Sequence, residues 1–307
     1  MHFTLKQIRY FVAVADCGSV HSAAARVHVS AASISSAIQQ LESQLDLQLF
    51  IRHHSKGMTL TSDGTNLLEQ ARNILNATLQ FESISAELSH EFAGNYRLAC
   101  LPPLAPVLLP GLLSEFKSGY PKVRLQLSEA HQAEIIRGMI QGRFDFALTY
   151  QMGMTDALDF SPLATLPPYV VLPATHALST QASVTIQQLI DEPFVMLDLP
   201  LSRDYFASLF KKAQLSANIA WETTQPDVMR GLIASGHGWG IANVKPMNFR
   251  SADGNKLAYI KLKGDYPALT LGVATLSSRQ KTRTMQAFID YCVSRVDTSG
   301  LPGMLAD

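Results

Sequence analysis

Apolar positions recur at helical spacing three times within the first 45 residues. The first run follows Thr4, a residue type suited to cap a helix, and consists of Leu5, Ile8, Phe11, Val12 and Ala15. The second run follows Ser19 and contains three consecutive alanines, which allow close helix packing. The third follows Ser30, and its apolar stripe consists of Ile34, Ile38, Leu41 and Leu45. Together these runs predict a small helical bundle whose last two helices are joined by a short turn.

The outward face of the third predicted helix carries small polar side chains. A helix presented by a short turn in this way suits the major groove of DNA. Of the residue types that read base edges through paired hydrogen bonds, this helix has only Gln39 and Gln40. Its serines can contact phosphates or either kind of base: Ser33, Ser35 and Ser36. We therefore expect weak direct base readout, with phosphate contacts at the helix start, Ser30, and from elsewhere.

A candidate source of phosphate contacts follows at residues 49–60, where two short apolar runs flank a polar cluster ending in Gly57. This pattern is typical of a β-hairpin, or wing. The candidate phosphate contacts are Arg52, His53 and Lys56 on the hairpin, Arg26 on the second helix, and Lys6 or Arg9 on the first. His53 and the adjacent His54 add charge only when protonated, and the alternative is that both are ordinary solvated residues.

After the hairpin, Thr61 can cap a long helix that extends to about Glu91. Its stripe alternates spacings of four and three and is widened by three leucines: Leu67, Ala71, Ile74, Thr78 and Phe81, with Leu68, Leu75 and Leu79. A long helix with so broad an apolar face requires cover from another chain, so the pattern predicts a dimerisation helix. The alternative is a helix buried inside one large domain.

From Tyr96 onward, short apolar runs alternate with helical stretches, which is typical of an α/β fold with largely parallel sheets. The runs are YRLACL, VRLQLSE, FDFALTY, YVVLP, FVMLD, WGIANV and LTLGVATL. Two linking segments, near residues 163–168 and 256–262, divide this region into two lobes. The residues after about Val296 are expected to form a loose tail.

Composition narrows the classes of partner. The formal net charge of this 307-residue chain is zero, so a DNA-binding surface has to be local. No apolar run approaches the roughly 20 residues of a membrane span, and we expect a cytoplasmic protein with no membrane partner. The three cysteines match neither a disulfide framework nor a zinc site: Cys17, Cys100 and Cys292. We expect reduced, mostly buried thiols and neither a metal nor a cofactor.

The order of these features resembles that of LysR-type transcriptional regulators. The likeness is carried first by LKQIRYFVAVADCGSVHSAAARVHVS, SSAIQQLESQLDLQLFIR and LTSDG, and then by LLPGLLSEFKSGYPKVRLQL, GRFDFAL, PATHAL, IQQLIDEPFVML and VMRGLIASGHGWGI. It implies an α/β protein with a winged helix-turn-helix at 1–60, a linker helix at 61–91 and a two-lobed, periplasmic-binding-protein-like effector domain at 92–307. The implied partners are double-stranded promoter DNA, a small-molecule effector, RNA polymerase and further copies of the chain, as a homodimer or homotetramer.

The resemblance also implies how the effector domain is divided. Lobe I comprises about 92–163 and 263–296, and lobe II about 164–262. The effector is expected between the lobes, at five loops that follow strand ends: 101–104, 129–131, 149–152, 199–202 and 223–224.

Ten residues in or beside these loops are candidate effector contacts: Pro103, Leu104, His131, Thr149, Met152, Ser202, Arg203, Thr223, Thr224 and Asn243. The first loop, CLPPLAP, has no hydroxyl, and its prolines lack amide donors. We therefore expect a small, partly apolar metabolite rather than an anion held at that loop. For His131 and Arg203 the alternative is an ordinary loop residue or a surface ion pair.

Three other interpretations are weaker. The sequence contains no Gly-x-Ser-x-Gly, His-Glu-x-x-His or Walker loop, and we expect no catalytic residues. A solute-binding protein would leave residues 1–90 unexplained. The stretch SGHGWGIAN has alternating glycines, but they follow a predicted helix and precede a strand, which predicts a turn rather than a dinucleotide loop.

Overall fold

The computed structural model describes residues 3–53, 57–88 and 92–305, without the side chains at 80, 82–88 and 297–299. The described residues form two compact units. One contains the residues before Phe92 together with Gln141–Arg143, and the other contains Phe92–Ile140 and the residues from Phe144 onward.

The first unit begins with three helices: α1 (Leu5–Cys17), α2 (Val20–Val27) and α3 (Ala31–Leu45). The hydroxyls of Thr4, Ser19 and Ser30 each accept a hydrogen bond from the backbone amide three residues later. These bonds satisfy amides that have no partner within the helix, so the predicted caps are confirmed. Between α2 and α3 the chain turns at His28, which has a left-handed φ of 57°.

The core of this unit is the predicted apolar stripe of α3. Ile34 and Ile38 are completely buried, and Leu41 is nearly so. The ring of Phe11 on α1 meets that of Phe50 edge to face at 5.5 Å between centroids. Both rings belong to the same buried cluster as the stripe, so α3 packs on α1 through its stripe and leaves its opposite face to solvent.

A hairpin of β1 (Phe50–His53) and β2 (Gly57–Leu60) confirms the predicted wing. The amide of Met58 donates to the carbonyl oxygen of Gly18 at 2.7 Å. Gly57 has a φ of +84°, and a Cβ there would collide with that same oxygen. Gly57 is therefore required for the close approach that fixes the hairpin to the turn between α1 and α2.

Helix α4 (Ser62–Leu88) is the predicted long helix, and Gly64 N donates to Thr61 Oγ1 at 2.9 Å. Its early stripe completes the core of the first unit, with Ala71 buried and Leu67 and Leu75 packed against the same cluster. Further along, Ile74 is 38% exposed and Phe81 is 75% exposed. The later part of the stripe thus lacks cover within one chain.

The second unit contains eleven strands and five helices among its described residues. In chain order they are β3 (Gly94–Cys100), α5 (Ala105–Gly119), β4 (Val123–Glu129), α6 (Gln132–Ile140), β5 (Phe146–Tyr150), β6 (Leu158–Leu166), β7 (Tyr169–Pro173), β8 (Ser183–Val184), β9 (Phe194–Leu197), α7 (Ser202–Lys212), β10 (Ile219–Thr223), α8 (Pro226–Ala234), β11 (Gly240–Ala242), β12 (Leu257–Leu262), β13 (Leu269–Leu276) and α9 (Arg283–Ser299), with a 3-10 turn at Ile186–Leu189. Each of the seven predicted apolar runs contains a strand.

The strands form two main sheets of mixed direction. Lobe I has the order β4-β3-β5-β13-β6, in which β3 is parallel to β4 and β5 but β13 is antiparallel to β5 and β6. Lobe II has the order β11-β7-β12-β8, with only β12 and β8 parallel, and a separate parallel pair of β9 and β10. The expectation of largely parallel sheets is therefore wrong. Because the chain leaves lobe I through β6 and returns through β13, these adjacent strands run in opposite directions.

The predicted linking segments are largely strand. Strand β6 continues in the lobe I sheet as far as Leu166, and β12 is an internal strand of the lobe II sheet. The chain therefore crosses between the sheets at residues 167–168 and again at 263–268. We call these two stretches the crossovers.

The end of the chain packs on the fold, so the expectation of a loose tail after Val296 is wrong for the described residues. Helix α9 extends to Ser299, and Met304 is only 6% exposed. Met247 N donates to Gly303 O at 2.9 Å, and Leu305 N donates to Lys245 O at 3.1 Å. Apolar burial and backbone pairing thus hold residues 300–305, which we call the C-terminal strap.

All three thiols are free, as expected, and Cys100 and Cys292 are buried. Burial raises the pKa of the Cys292 thiol to about 12. Burial, with a smaller contribution from the charge of Glu129, raises the pKa of Cys100 as well. Both thiols are therefore protonated and unreactive at neutral pH.

Two further observations concern the other sequence expectations. The glycines at 236 and 238 lie between α8 and β11 with positive φ, so the predicted helix-to-strand turn is confirmed. Among the described residues, no helix combines the length and apolar content needed to cross a bilayer.

Candidate DNA interface and effector site

The outward face of α3 is exposed and polar. Ser33, Ser36, Gln39 and Gln40 are exposed, whereas Ser35 is half-buried. The hydroxyl of Ser33 lies 2.8 Å from that of Ser30, so both take part in the helix cap. Gln40 Oε1 accepts from Gln7 Nε2 of α1 at 3.4 Å. Within the described residues, Ser36 and Gln39 make no side-chain hydrogen bond, which leaves them available to a ligand.

Arg26 is held by an acidic residue that the sequence reasoning missed. Its Nη1 lies 3.3 Å from Asp16 Oδ2, and the other oxygen of Asp16 accepts from Arg72 Nη2 of α4 at 2.6 Å. The side chain of Arg26 is still half exposed, whereas that of Arg72 is 8% exposed. Asp16 therefore connects α1, α2 and α4 and offsets part of the charge that Arg26 offers to a phosphate.

The hairpin presents part of the predicted basic surface. Arg52 and His53 are exposed, and His53 Nε2 lies 2.9 Å from Thr59 Oγ1 on the paired strand. Lys56 and His54 lie outside the described residues. Two more exposed cations, Lys6 and Arg9, lie on α1. Among the described residues of this unit, the exposed lysines and arginines are Lys6, Arg9, Arg26 and Arg52.

In lobe I, the sheet register brings three predicted effector loops together. Cys100 at the end of β3 pairs with Glu129 of β4 and with Leu148 of β5, so the strands end at the same sheet edge. Gln132, which the sequence reasoning missed, joins the loops because its Nε2 donates to the carbonyl oxygens of Tyr150 and Met152 at 2.8 and 2.7 Å. The loops at 101–104, 129–131 and 149–152 are therefore neighbours.

In lobe II, the remaining two loops are also neighbours. Leu197 of β9 pairs with Thr223 of β10, and Asp198 N donates to Thr223 O at 2.8 Å. Arg203 forms ion pairs with Asp198 at 2.9 Å and with Glu222 at 2.7 Å. These contacts fit the alternative interpretation of Arg203 as an ion-pair partner.

The two groups of loops meet at Gly153 and Leu201. A Cβ added to Gly153 would lie 3.1 Å from Leu201 Cδ1, and Gly153 has a φ of +70°. Leu201 has a φ of 68°, a left-handed conformation that is unfavourable for a branched residue. The loops of lobe I and lobe II thus face each other, with a strained residue at their point of contact.

The predicted effector contacts differ in exposure. Pro103, His131, Met152, Ser202, Arg203 and Thr223 are half-buried, and Thr224 is exposed. Leu104 and Thr149 are completely buried, and Thr149 Oγ1 donates to Gln132 Oε1 at 2.6 Å. His131 Nδ1 accepts from Glu134 N at 3.3 Å. Direct contact between any of these side chains and an effector stays a prediction, and Leu104 and Thr149 are placed to shape the loops from beneath.

Asn243 belongs to a hydrogen-bond network at the crossovers that the sequence reasoning missed. Its Nδ2 donates to Leu166 O at 3.0 Å and to Tyr205 Oη at 2.9 Å. Tyr205 Oη in turn donates to Pro267 O at 2.8 Å. Leu166 adjoins the first crossover and Pro267 lies in the second. This network therefore ties α7 of lobe II to both connections between the lobes.

Replacing Tyr205 with Phe is expected to lower the free energy of unfolding by about 1–3 kcal/mol, because Pro267 O and Asn243 Nδ2 lose a buried partner. Urea unfolding followed by far-UV circular dichroism measures the change. Tyr266→Phe is the matched control, since the Tyr266 hydroxyl makes no hydrogen bond within the described chain. Equal stability of the two variants would mean that the network contributes nothing.

The fold and its two sites define a class of protein: a winged helix-turn-helix joined to a two-lobed domain whose loops converge between the lobes. The family model for the bacterial regulatory helix-turn-helix protein, lysR family, matches residues 5–65. The model for the LysR substrate binding domain matches residues 89–297. The chain therefore belongs to the LysR family, and the predicted family and fold class are confirmed.

Comparison with individual proteins agrees with this assignment. The chain is 28% identical over 267 residues to the HTH-type transcriptional regulator YnfL of Escherichia coli (strain K12), covering 85% of this chain and 88% of that protein. It is 32% identical to HinK, a LysR family transcriptional regulator from Pseudomonas aeruginosa, with a TM-score of 0.65 and coverage of 96% and 98%. The structure of full-length CbnR with its target DNA, at 21% identity, has the same fold, with a TM-score of 0.66 and coverage of 95% and 99%.

The chain is accordingly a DNA-binding transcriptional regulator that carries an effector-binding domain. Its family consists of regulators of transcription.

Proposed function

We propose that this regulator binds a partly palindromic promoter site as a dimer of dimers, and that an effector between its lobes changes DNA bending and the access of RNA polymerase. The observation that carries the DNA part of the proposal is the exposed face of α3, where Ser36 and Gln39 have no partner within the described fold. Since its target is promoter DNA, we place the protein in the cytoplasm.

The proposed DNA contacts are of two kinds. Ser36, Gln39 and Gln40 are assigned to base edges, with Ser35 beside them. Phosphate contacts are assigned to Arg26, Ser30, Ser33, Arg52, His53 and Lys56, of which Lys56 lies outside the described residues. So few cations give one domain weak affinity, and linking several domains raises it through effective concentration.

An unpartnered apolar surface supports the dimer. A pocket of about 100 Å³ lies among α1, α3 and α4, and it is lined by Phe3, Ile8, Phe11, Leu41, Leu45, Leu49, Leu67, Gln70, Ala71 and Ile74. The exposed ring of Phe81 lies two turns further along α4 from Ile74. Helix α4 of a second copy supplies apolar cover of the required length. Two such dimers give the proposed homotetramer.

The effector half of the proposal places a small, partly apolar metabolite at the five loops. Pro103 and Met152 would provide apolar contact, and His131, Ser202, Thr223 and Thr224 polar contact. Because the two groups of loops meet at Gly153 and Leu201, an effector there contacts both lobes. Its binding favours one interlobe arrangement, and that preference is transmitted to the packing of the dimers.

Fluorescence-anisotropy titration tests the DNA half directly. The purified protein is titrated with a duplex from upstream of its own gene and with a scrambled duplex, across a salt series. We expect at least about 10³-fold preference for the native duplex, and an affinity that falls steeply with salt. Equal affinity for the two duplexes at every salt concentration would contradict the proposal.

A further inference from the structure

A second pocket, of about 410 Å³, lies beside the first crossover. Three segments form its walls: residues 164–169, residues 243–247 after β11, and the end of α9 with the C-terminal strap. Among the described residues, none in the five predicted effector loops lines this pocket. Asn243 is the one predicted effector contact that does. We call it the hinge pocket.

The hinge pocket combines an apolar wall with one cation. Leu166, Pro167, Met247, Leu301 and Met304 provide most of the wall. The ammonium of Lys245 lies 4.9 Å from the ring centroid of Tyr169. Lys245 forms no ion pair within the described residues, and no acidic side chain is among the lining residues. The pocket therefore complements a small molecule that has an apolar body and a single negative charge.

The strap that closes the hinge pocket contacts both lobes. On the lobe I side, the strap packs closely on α5 at two glycines. A Cβ added to Gly111 would lie 2.6 Å from Pro302 Cβ, and a Cβ added to Gly303 would collide with Val107 O. On the lobe II side, Pro246 pairs with Met304 in an antiparallel bridge. The strap is thus a third connection between the lobes, in addition to the two crossovers.

We propose that the hinge pocket binds a small organic monoanion with an apolar body, such as a medium-chain carboxylate, whose carboxylate contacts Lys245. Because its walls are made of segments that join the lobes, the shape of the pocket changes with the interlobe angle. A bound anion favours one angle and gives the regulator a second chemical input, separate from the predicted effector loops.

Methionine methyl NMR can separate the two locations. Met247 and Met304 line the hinge pocket, whereas Met152 lies in a predicted effector loop. The chain has ten methionines, and single Met→Leu substitutions assign these three signals. The full-length protein, labelled at the methionine methyls, is titrated with hexanoate and with hexanamide, its uncharged counterpart.

Hexanoate is expected to shift the Met247 and Met304 signals saturably, and to shift Met152 less, because Met152 responds only through the interlobe angle. Hexanamide, and hexanoate with the Lys245→Gln variant, are expected to bind at least ~10-fold more weakly, since a charge-assisted contact is lost. Lys211→Gln, at the exposed end of α7, is the matched control and should bind as the wild type does. The methionine spectrum of each variant reports whether it is folded. The proposal is overturned if only Met152 moves, if no signal moves, or if Lys245→Gln binds hexanoate with wild-type affinity.

Discussion

Replacing Ile74 or Phe81 with Glu is expected to dissociate the dimer and thereby to remove tight binding to promoter DNA. Ile74 lies at the edge of the apolar pocket of the first unit, and Phe81 is 75% exposed. A carboxylate placed in an apolar helix interface has no partner, and its burial costs several kcal/mol. Loss of the second DNA-binding domain then lowers DNA affinity by about 10²–10⁴-fold, since the gain from linked domains disappears.

Sedimentation velocity measures the first effect and fluorescence anisotropy the second. Thr65→Glu is the matched control. Thr65 lies nine positions before Ile74, which places it on the opposite side of α4, and its side chain is exposed. The control should remain an oligomer with wild-type DNA affinity. If Ile74→Glu and Phe81→Glu sediment as the wild type does, α4 is not the dimer contact.

Replacing Asp145 with Asn is expected to lower the free energy of unfolding by about 3–5 kcal/mol, because the change removes the buried counter-charge of two half-buried arginines, Arg97 and Arg279. The carboxylate of Asp145 is 1% exposed. It accepts from Arg97 N at 2.7 Å, Nε at 3.0 Å and Nη2 at 2.9 Å, and it also contacts Arg279 Nη1. Urea unfolding near neutral pH measures the loss. Asp265→Asn is the control, since its pair with Lys212 is exposed and should leave stability unchanged.

The pH dependence of this difference follows from the pKa of Asp145. Burial alone would raise that pKa, but the hydrogen bonds and charge of Arg97, with the charge of Arg279, outweigh burial and hold it below its ordinary value. The stabilisation is therefore fully present above the pKa of the unfolded chain, about 4, and is lost as pH falls through the lower folded value. Equal free energies of unfolding for the wild type and Asp145→Asn at neutral pH would contradict this account.

Features encoded by neighbouring residues were predictable from the sequence. The caps at Thr4, Ser19, Ser30 and Thr61 depend on a hydroxyl and an amide three residues away, so the helix starts were correctly placed. The wing was predictable for the same reason, because Gly57 marks its turn.

Features made by distant residues were not predictable in this way. The direction of β13 depends on how the chain returns from lobe II, and the strap depends on contacts of residues 300–305 with α5 and with residues 245–247. Asp16 meets Arg72 across 56 positions, and Asn243 meets Leu166 across 77. Local pattern contains no information about such pairs. For the effector site, the resemblance implied five loops at strand ends between the lobes, but not that Leu104 and Thr149 would be completely buried.

The most direct test of the central claim is the affinity of Ser36→Asp for the native upstream duplex, measured by fluorescence anisotropy. Ser36 lies on the exposed face of α3, and a carboxylate there would meet the negative charge of DNA. The account predicts at least about 100-fold weaker binding with the oligomer intact, because every copy of α3 on the DNA then carries a repelled carboxylate. Ser118→Asp, on the exposed end of α5, should bind as the wild type does. Wild-type affinity of Ser36→Asp would contradict the assignment of α3 to the DNA interface.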